Sequence, residues 1–332
     1  MSELHKFIFE GLPVRGMLVR LTDGWQEVLQ RRAKAHHDFA PPVRALLGEL
    51  AAAATLMQAN IKFDGALVLQ IHGDGPLKLA VAEVTAKLGF RVTAKVVGEV
   101  AADASLETMV NVHGKGRCAI TLDPQNKQPG QQPYQGVVPL HGDRREPLHK
   151  VSEVLEHYML QSEQLDTKLI LAANDEVAAG LLIQRLPIEG TGNLGGARNE
   201  DRIGLVLRQA QDDREDDYKR IALLAATLTP QELLTLDADT VLRRLFWEET
   251  LRRFAPLAGA SGPRFACSCS RELVGNMLKS LGADEVDGIV VEQGRVEVAC
   301  EFCGKLYHYD AVDVGELFTV AHKQPPGSRA IN

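Results

Sequence analysis

With 332 residues, 45% of them hydrophobic, the chain is long enough for about two domains and a sizeable buried core. Its net charge of −7 argues against nucleic acid or an anionic membrane as the main partner. No apolar run approaches the roughly 18 residues of a membrane span, and the start Met1-Ser-Glu-Leu-His-Lys lacks the basic and apolar parts of a signal peptide, so a cytoplasmic location is expected.

In chain order, Val14 to Leu21 reads as a strand, followed by a helix capped at Thr22 or Asp23 and running to about Lys34. Pro41-Pro42 opens a long Ala- and Leu-rich helix with Leu46, Leu47, Leu50, Ala53, Ala54 and Met57 at helical spacing, and with Arg44 and Glu49 marking a wet side. From Ile61 to about Val100 the pattern changes to short β-rich runs broken at Gly73-Asp-Gly75 and Leu88-Gly89, which predicts antiparallel hairpins. Met109 to Leu122 and Tyr134 to Leu140 continue the sheet across a Pro- and Gln-rich loop. Cys118 falls in an alternating run and is expected to be a buried strand residue. Pro147 starts a helix through Ser162, and strands at Lys168 to Ala173 and Ala179 to Gln184 end the first domain.

Gly190-Thr-Gly192-Asn-Leu-Gly195 matches a dinucleotide fingerprint in spelling only. Pro187 separates it from the preceding strand, and the residues after it are too polar to open a sheet-packed helix. Gln209 to Asp217 is an acidic, solvated run. Helices are predicted at about Asp217 to Thr227, at Pro230 to Leu236 capped by Thr229, and at Asp239 to Arg253. The last presents Val241, Leu242, Leu245, Phe246, Leu251 and Phe254 as a wide apolar surface. Beyond it the pattern gives a helix from Arg271 to Leu281, a hairpin from Ile289 to Val298 turning at Gln293-Gly294, a strand from Leu306 to Tyr309 and a short helix to Phe318.

The chemistry is concentrated in that last quarter. Cys267-Ser-Cys269 and Cys300-Glu-Phe-Cys303-Gly304 bring four thiols from two tight turns, the donor set of a closed tetrahedral Zn2+ site with no position left for substrate. His308 and His322 are not needed as ligands. A structural, redox-silent zinc is the usual outcome of such spacing. Cysteines i and i+2 on an extended strand lie about 6 to 7 Å apart at Cα, so a disulfide between Cys267 and Cys269 requires a bend.

The residues around the cysteines resemble a known family. Cys267-Ser-Cys-Ser-Arg-Glu, Leu281-Gly282 with Glu285, and Cys300-Glu-Phe-Cys303 are similar to the C-terminal signature of the heat shock protein 33 family of redox-regulated bacterial chaperones. Leu46-Leu-Gly-Glu-Leu50, Lys62-Phe-Asp-Gly65, Gly73-Asp-Gly-Pro76, Tyr134-Gln-Gly136, Gln161-Ser-Glu-Gln164 and Gln184-Arg-Leu-Pro187 extend the resemblance over nearly the whole chain. Leu273 departs from it, standing where the family has a second arginine.

The resemblance implies an α+β fold in three parts: a chaperone core at 1–187 with an antiparallel sheet and flanking helices, a helical middle and linker region at 188–264, and a small four-cysteine zinc domain at 265–323. It implies an ATP-independent holdase, not an enzyme, whose partners are unfolded client proteins and whose linker lies over the core. The reduced form binds zinc through Cys267, Cys269, Cys300 and Cys303 and is inactive. Oxidation pairs Cys267 with Cys269 and Cys300 with Cys303, releases zinc, unfolds the C-terminal region and exposes apolar surface; the oxidised form is a homodimer. Magnitudes agree with that direction, since two such short disulfide loops supply roughly 3 to 4 kcal/mol against about 10 to 16 for zinc in small modules. The main rival is a zinc ribbon that binds nucleic acid or another protein. Residues 264 to 323 carry a net −4 before the thiolates are counted, a field that repels phosphate. A thiol oxidoreductase is disfavoured because Cys300-Glu-Phe-Cys303 does not open a helix in a βαβ unit.

Overall fold

The computed structural model describes residues 1–35, 38–126, 130–186 and 216–319. The chain separates into two compact units, Met1–Ala266 and Cys267–Asn332. The glycine fingerprint at 190–195, nearly all of the acidic run at 209–217, Pro187 and His322 lie outside the described residues.

Unit 1 is α+β and is built around one helix. Strands β1 (Glu3–Phe9), β2 (Val14–Leu21), β8 (Thr167–Ala173) and β9 (Ala178–Arg185) form an antiparallel sheet in the order β1-β2-β9-β8. A second sheet runs β5-β4-β3-β6-β7, from β3 (Gly65–His72), β4 (Leu77–Thr85), β5 (Gly89–Val96), β6 (Arg117–Pro124) and β7 (Tyr134–Pro139). Its hairpins turn where the glycines predicted, with Leu88 at φ 57 in the β4–β5 turn. Helix α1 (Asp23–Lys34) follows β2 and buries Trp25. Helix α2 (Pro41–Asn60) lies between the sheets, against β4 and β5 on one side and β8 and β9 on the other.

This position narrows the wet side expected at Arg44 and Glu49, which both stay partly exposed. From Leu50 to Gln58 every residue of α2 is buried, and burial raises the Glu49 carboxyl to about 7. From Leu50 to Gln58, covered by two sheets, the helix has no polar face to show, and the run Ala51 to Ala54 keeps it thin enough for both to approach. A methyl group at Gly48 would lie 2.4 Å from Ala173 Cβ, so β8 packs against bare helix backbone there.

The first sheet is buried on both faces. Along β9, Ala178 and Leu182 join the core around α2, while Ala179, Leu181 and Ile183 face a second cluster. That cluster is closed by helix α5 (216–226), α6 (Pro230–Thr235) and α7 (Ala238–Phe246), which contribute Ile221, Leu233, Val241, Leu245 and Phe246. Phe246 packs edge-on to Phe9 with ring centroids 5.0 Å apart and lies 6.2 Å from Phe7.

Two further expectations in unit 1 fail. The strand placed from Met109 begins at Arg117; helix α3 (Leu106–Val110) precedes it, with Ser105 capping the Thr108 N–H at 3.3 Å. The helix placed from Asp239 to Arg253 ends at Phe246, and β10 (Leu251–Arg253) pairs with Phe7–Phe9 of β1. The open edge of β1 supplies the backbone partners that an extended Leu251–Arg253 needs, and the sequence pattern does not reveal an edge. Strands β11 (Leu257–Ala258) and β12 (Arg264–Phe265) then pair with β1 and β5, and helix α4 (Val151–Glu163) packs on β8. None of the described helices is long and apolar enough to cross a membrane.

Unit 2 is small. Helix α8 (Arg271–Leu281) is followed by α9 (Ala283–Gln293), then β13 (Val296–Ala299) pairs with β14 (Leu306–Tyr309), and α10 (Ala311–Phe318) closes it. The hairpin expected at Ile289 to Val298 is therefore helix up to Gln293. Gly294, at φ 78, ends α9 in the left-handed conformation and does not turn a hairpin. The buried core is Leu278, Val286, Val296, Tyr307, Tyr309 and Val314.

Candidate metal centre

All four predicted ligands converge. Cys267 and Cys269 lie on the extended segment before α8, whose first turn is capped by Ser270 Oγ accepting from Leu273 N–H at 3.1 Å. Cys300 and Cys303 lie on the connection of the β13–β14 hairpin, where Cys300 N–H donates to Lys305 O at 2.9 Å and Gly304 N–H to Cys300 O at 2.8 Å. Gly304 sits at φ 69, which lets the chain turn back under the sulfurs.

The four Sγ atoms lie within 4.8 Å of one another. The Cys267–Cys300 and Cys269–Cys303 separations are 3.7 and 3.4 Å, far longer than a disulfide bond, and the thiols are free. A tetrahedron with metal–sulfur bonds of about 2.3 Å has edges of about 3.8 Å, so the spacing and the donor set both fit one thiolate-ligated metal ion. His308 stands apart, paired with Glu297 at 3.3 Å.

The surroundings favour charged sulfur unevenly. Tyr307, on β14, donates its hydroxyl to Cys269 Sγ at 3.2 Å, a partner that the sequence reading did not single out. The Cys269 backbone N–H points at Cys267, and that of Lys305 at Cys303. Burial pushes the thiols of Cys267 and Cys303 up. At Cys269 burial is outweighed by hydrogen bonds from Tyr307 and the neighbouring thiols, which bring it down to about 7. Alternation along Leu306–Tyr309, which turns Tyr307 and Tyr309 inward, is the signal that could have found Tyr307. Arg271 lies over the Tyr309 ring at 4.2 Å, and Tyr309 donates its hydroxyl to Arg271 O at 2.6 Å, which ties the start of α8 to the hairpin. Cys118, by contrast, is fully buried in β6, where desolvation raises it to about 12.

The Hsp33 protein family model matches residues 2–310. The 33 kDa chaperonin of Methylobacillus flagellatus is 42% identical over 327 residues, 98% of this chain and 97% of its own length. That of Chromobacterium violaceum is 43% identical over 96% of this chain and 94% of its own. The crystal structure of the 33 kDa chaperonin (heat shock protein 33 homolog) from Thermotoga maritima aligns with a TM-score of 0.71, covering 95% of this chain and 97% of that one at 20% identity.

Proposed function

Since the chain belongs to the Hsp33 family, we propose that it is an ATP-independent holdase chaperone of the cytoplasm, switched on by oxidation of Cys267, Cys269, Cys300 and Cys303. The observation that carries the reading is the convergence of these four sulfurs within 4.8 Å in a unit whose described residues form a buried apolar core of only six side chains. Zinc, when bound, supplies a cross-link between the two loops and keeps the four sulfurs as thiolates. Residues 265–323 act as the switch, 188–264 as the linker and 1–187 as the core.

Each disulfide forms as two thiols give two electrons and two protons to one peroxide, which leaves as two waters. Two disulfides therefore consume two peroxides and every metal ligand. In the reduced chain sulfur contacts of 3.7 and 3.4 Å run between the loops. We nevertheless assign the pairs as Cys267–Cys269 and Cys300–Cys303, because once the loops part only cysteines of the same loop stay within reach. Loops this short stabilise a fold by roughly 1.5 to 2 kcal/mol each, too little to hold unit 2 together.

The client surface in this reading is the apolar cluster between the first sheet and α5 to α7. Phe7, Phe9, Leu181 and Ile183 are covered there by Val241, Leu245 and Phe246. Undocking of α5 to α7 exposes both sides, and surface of that kind binds unfolded chains and favours a homodimer. The test is suppression of aggregation of a heat-unfolded protein, with and without peroxide pretreatment. Equal activity in the two states would overturn the switch.

A further inference from the structure

A cavity of about 140 Å³ opens in unit 1 among the C-terminal turns of α2 and α4 and strands of both sheets. Met57, Leu67, Ile120, Leu122, Met159 and Leu182 give it apolar walls. An apolar cavity of about 150 Å³ takes one benzene ring, so this one is sized for a single six-membered ring. The two methionine sulfurs suit aromatic edges.

The polar wall is more specific. Arg15 Nη2 and Asn60 Nδ2 both donate to Gln184 Oε1, at 2.5 and 2.8 Å, so the two side chains meet at one atom. Gln184 is fully buried, and its own amide donates to Thr167 Oγ1 at 2.8 Å. Asn60 Oδ1 is buried and has no hydrogen-bond partner. Arg15 has no carboxylate partner among the described residues. The wall thus lacks one donor, for Asn60, and offers a cationic donor beside it, a combination that one hydroxyl answers by donating to the amide oxygen and accepting from the guanidinium. Asn60 Oδ1 is closed off as the side chain stands, so the amide turns about its soft terminal torsion to meet the hydroxyl and gives up its bond to Gln184 Oε1, which keeps that of Arg15. A carboxylate cannot donate, and Glu163, which already accepts the hydroxyls of Tyr158 and Tyr134 at 2.8 and 3.3 Å, lines the same cavity.

We propose that this cavity binds one phenolic ring, the side chain of a tyrosine on an unfolded segment, with the hydroxyl held between Arg15 and Asn60. The origin of the tyrosine rests on the holdase reading; the binding of a phenol does not. Ile61 and Tyr134, exposed at 38% and 51% beside the cavity, extend apolar surface to residues flanking that tyrosine.

The experiment is a titration of the reduced full-length chain with p-cresol, toluene and benzoate, followed by amide chemical shifts. The expected result is that p-cresol perturbs Arg15, Asn60 and Leu182 and binds about tenfold tighter than toluene, the factor that one net hydrogen bond supplies. Benzoate leaves the cavity unperturbed. Arg15→Met removes the preference over toluene, and Leu122→Trp, which fills the cavity, abolishes both. If Leu122→Trp does not fold, Met159→Phe serves instead. Absence of cavity shifts at millimolar p-cresol, or equal affinity for toluene, overturns the proposal, and it does so without touching the holdase reading if peroxide-dependent aggregation suppression persists. A second arm separates the sources. Oxidised protein should bind an unfolded peptide bearing one tyrosine more tightly than its Tyr→Leu counterpart, with p-cresol displacing the first alone. Equal binding of the two peptides would overturn the client role.

Discussion

The two units are stabilised by different means. Unit 1 wraps two sheets around α2 and buries side chains from Leu4 to Leu182 in one continuous core, with a second cluster beneath α5 to α7. Among its described residues unit 2 has a hydrophobic core of only six buried side chains, with four sulfurs gathered beside them. A large core loses a few kcal/mol to any single change and remains folded, whereas a unit this small depends on its cross-links. In the proposed switch, thiolate ligation is the element that an oxidant changes directly, and it lies in the unit where cross-links weigh most against the core.

The largest expected effect removes a cross-link. Cys300→Ser should cost unit 2 most of the about 10 to 16 kcal/mol that zinc supplies in modules of this kind. Zinc stoichiometry should fall well below one per chain and unit 2 amide signals should collapse, while those of unit 1 stay in place. Cys118→Ser, deep in β6, should change neither. Full zinc occupancy in Cys300→Ser would remove the basis of the comparison.

Within unit 1 the layer most exposed to attack is the outer cluster. Phe246→Ser deletes a ring packed 5.0 Å from Phe9 and should weaken the docking of α7 by about 3 to 5 kcal/mol. Binding of a hydrophobic dye and suppression of aggregation should then occur without oxidant. A variant that stays inactive until oxidised would show that α7 is not the cover.

A smaller effect is expected one step out from the sulfurs. Tyr307→Phe removes the hydroxyl that donates to Cys269 Sγ at 3.2 Å and leaves the ring in the core. Partners of metal ligands are worth about 10- to 100-fold in affinity, so competition with a chromophoric chelator should show zinc held more weakly by that factor. Unchanged affinity would mean that Tyr307 matters to unit 2 through packing alone.

The four-cysteine cluster was readable in the sequence because each pair is local: two cysteines in three residues, and two in four before a glycine, suggest their chemistry without any long-range fold. Most helices and hairpins of unit 1 were readable for the same reason, though the short α3, with its local Ser105 cap, overlaps the strand predicted from Met109. Most of what escaped depends on distant partners. Leu251–Arg253 is a strand only because β1 presents an edge, and the Glu49 carboxyl is raised only because neighbouring elements close on α2 and desolvate it. At Gly294 one residue fits two local structures, a hairpin turn and a helix end. The Gln293-Gly294 pair predicts the first, and the packing of α9 decided for the second. Tyr307 was missed because its role is set by a contact 38 residues away.

The smallest effect tests the comparison with matched perturbations. Ser270 caps α8 in unit 2 and Ser105 caps α3 in unit 1, each accepting from a backbone N–H three residues on, at 3.1 and 3.3 Å. Replacing either by alanine costs about 1 kcal/mol of local helix stability. In unit 1 that loss is confined to a short helix on a large core, and neither zinc retention nor the rate of oxidation should change. In unit 2 about 1 kcal/mol is a sizeable share of what the core supplies, so the open population should rise about fivefold. Ser270→Ala should therefore speed both peroxide oxidation and zinc loss to a chelator by about fivefold. Because Ser270 adjoins Cys269, a local effect on that sulfur has to be separated from opening of the whole unit. Amide exchange at Val286 and Val314, on α9 and α10, makes that separation: exchange there should accelerate by the same factor as oxidation. Faster oxidation with unchanged exchange at both amides would mean that unit 2 does not open as one body, and the contrast between the units would then rest on the sulfurs alone.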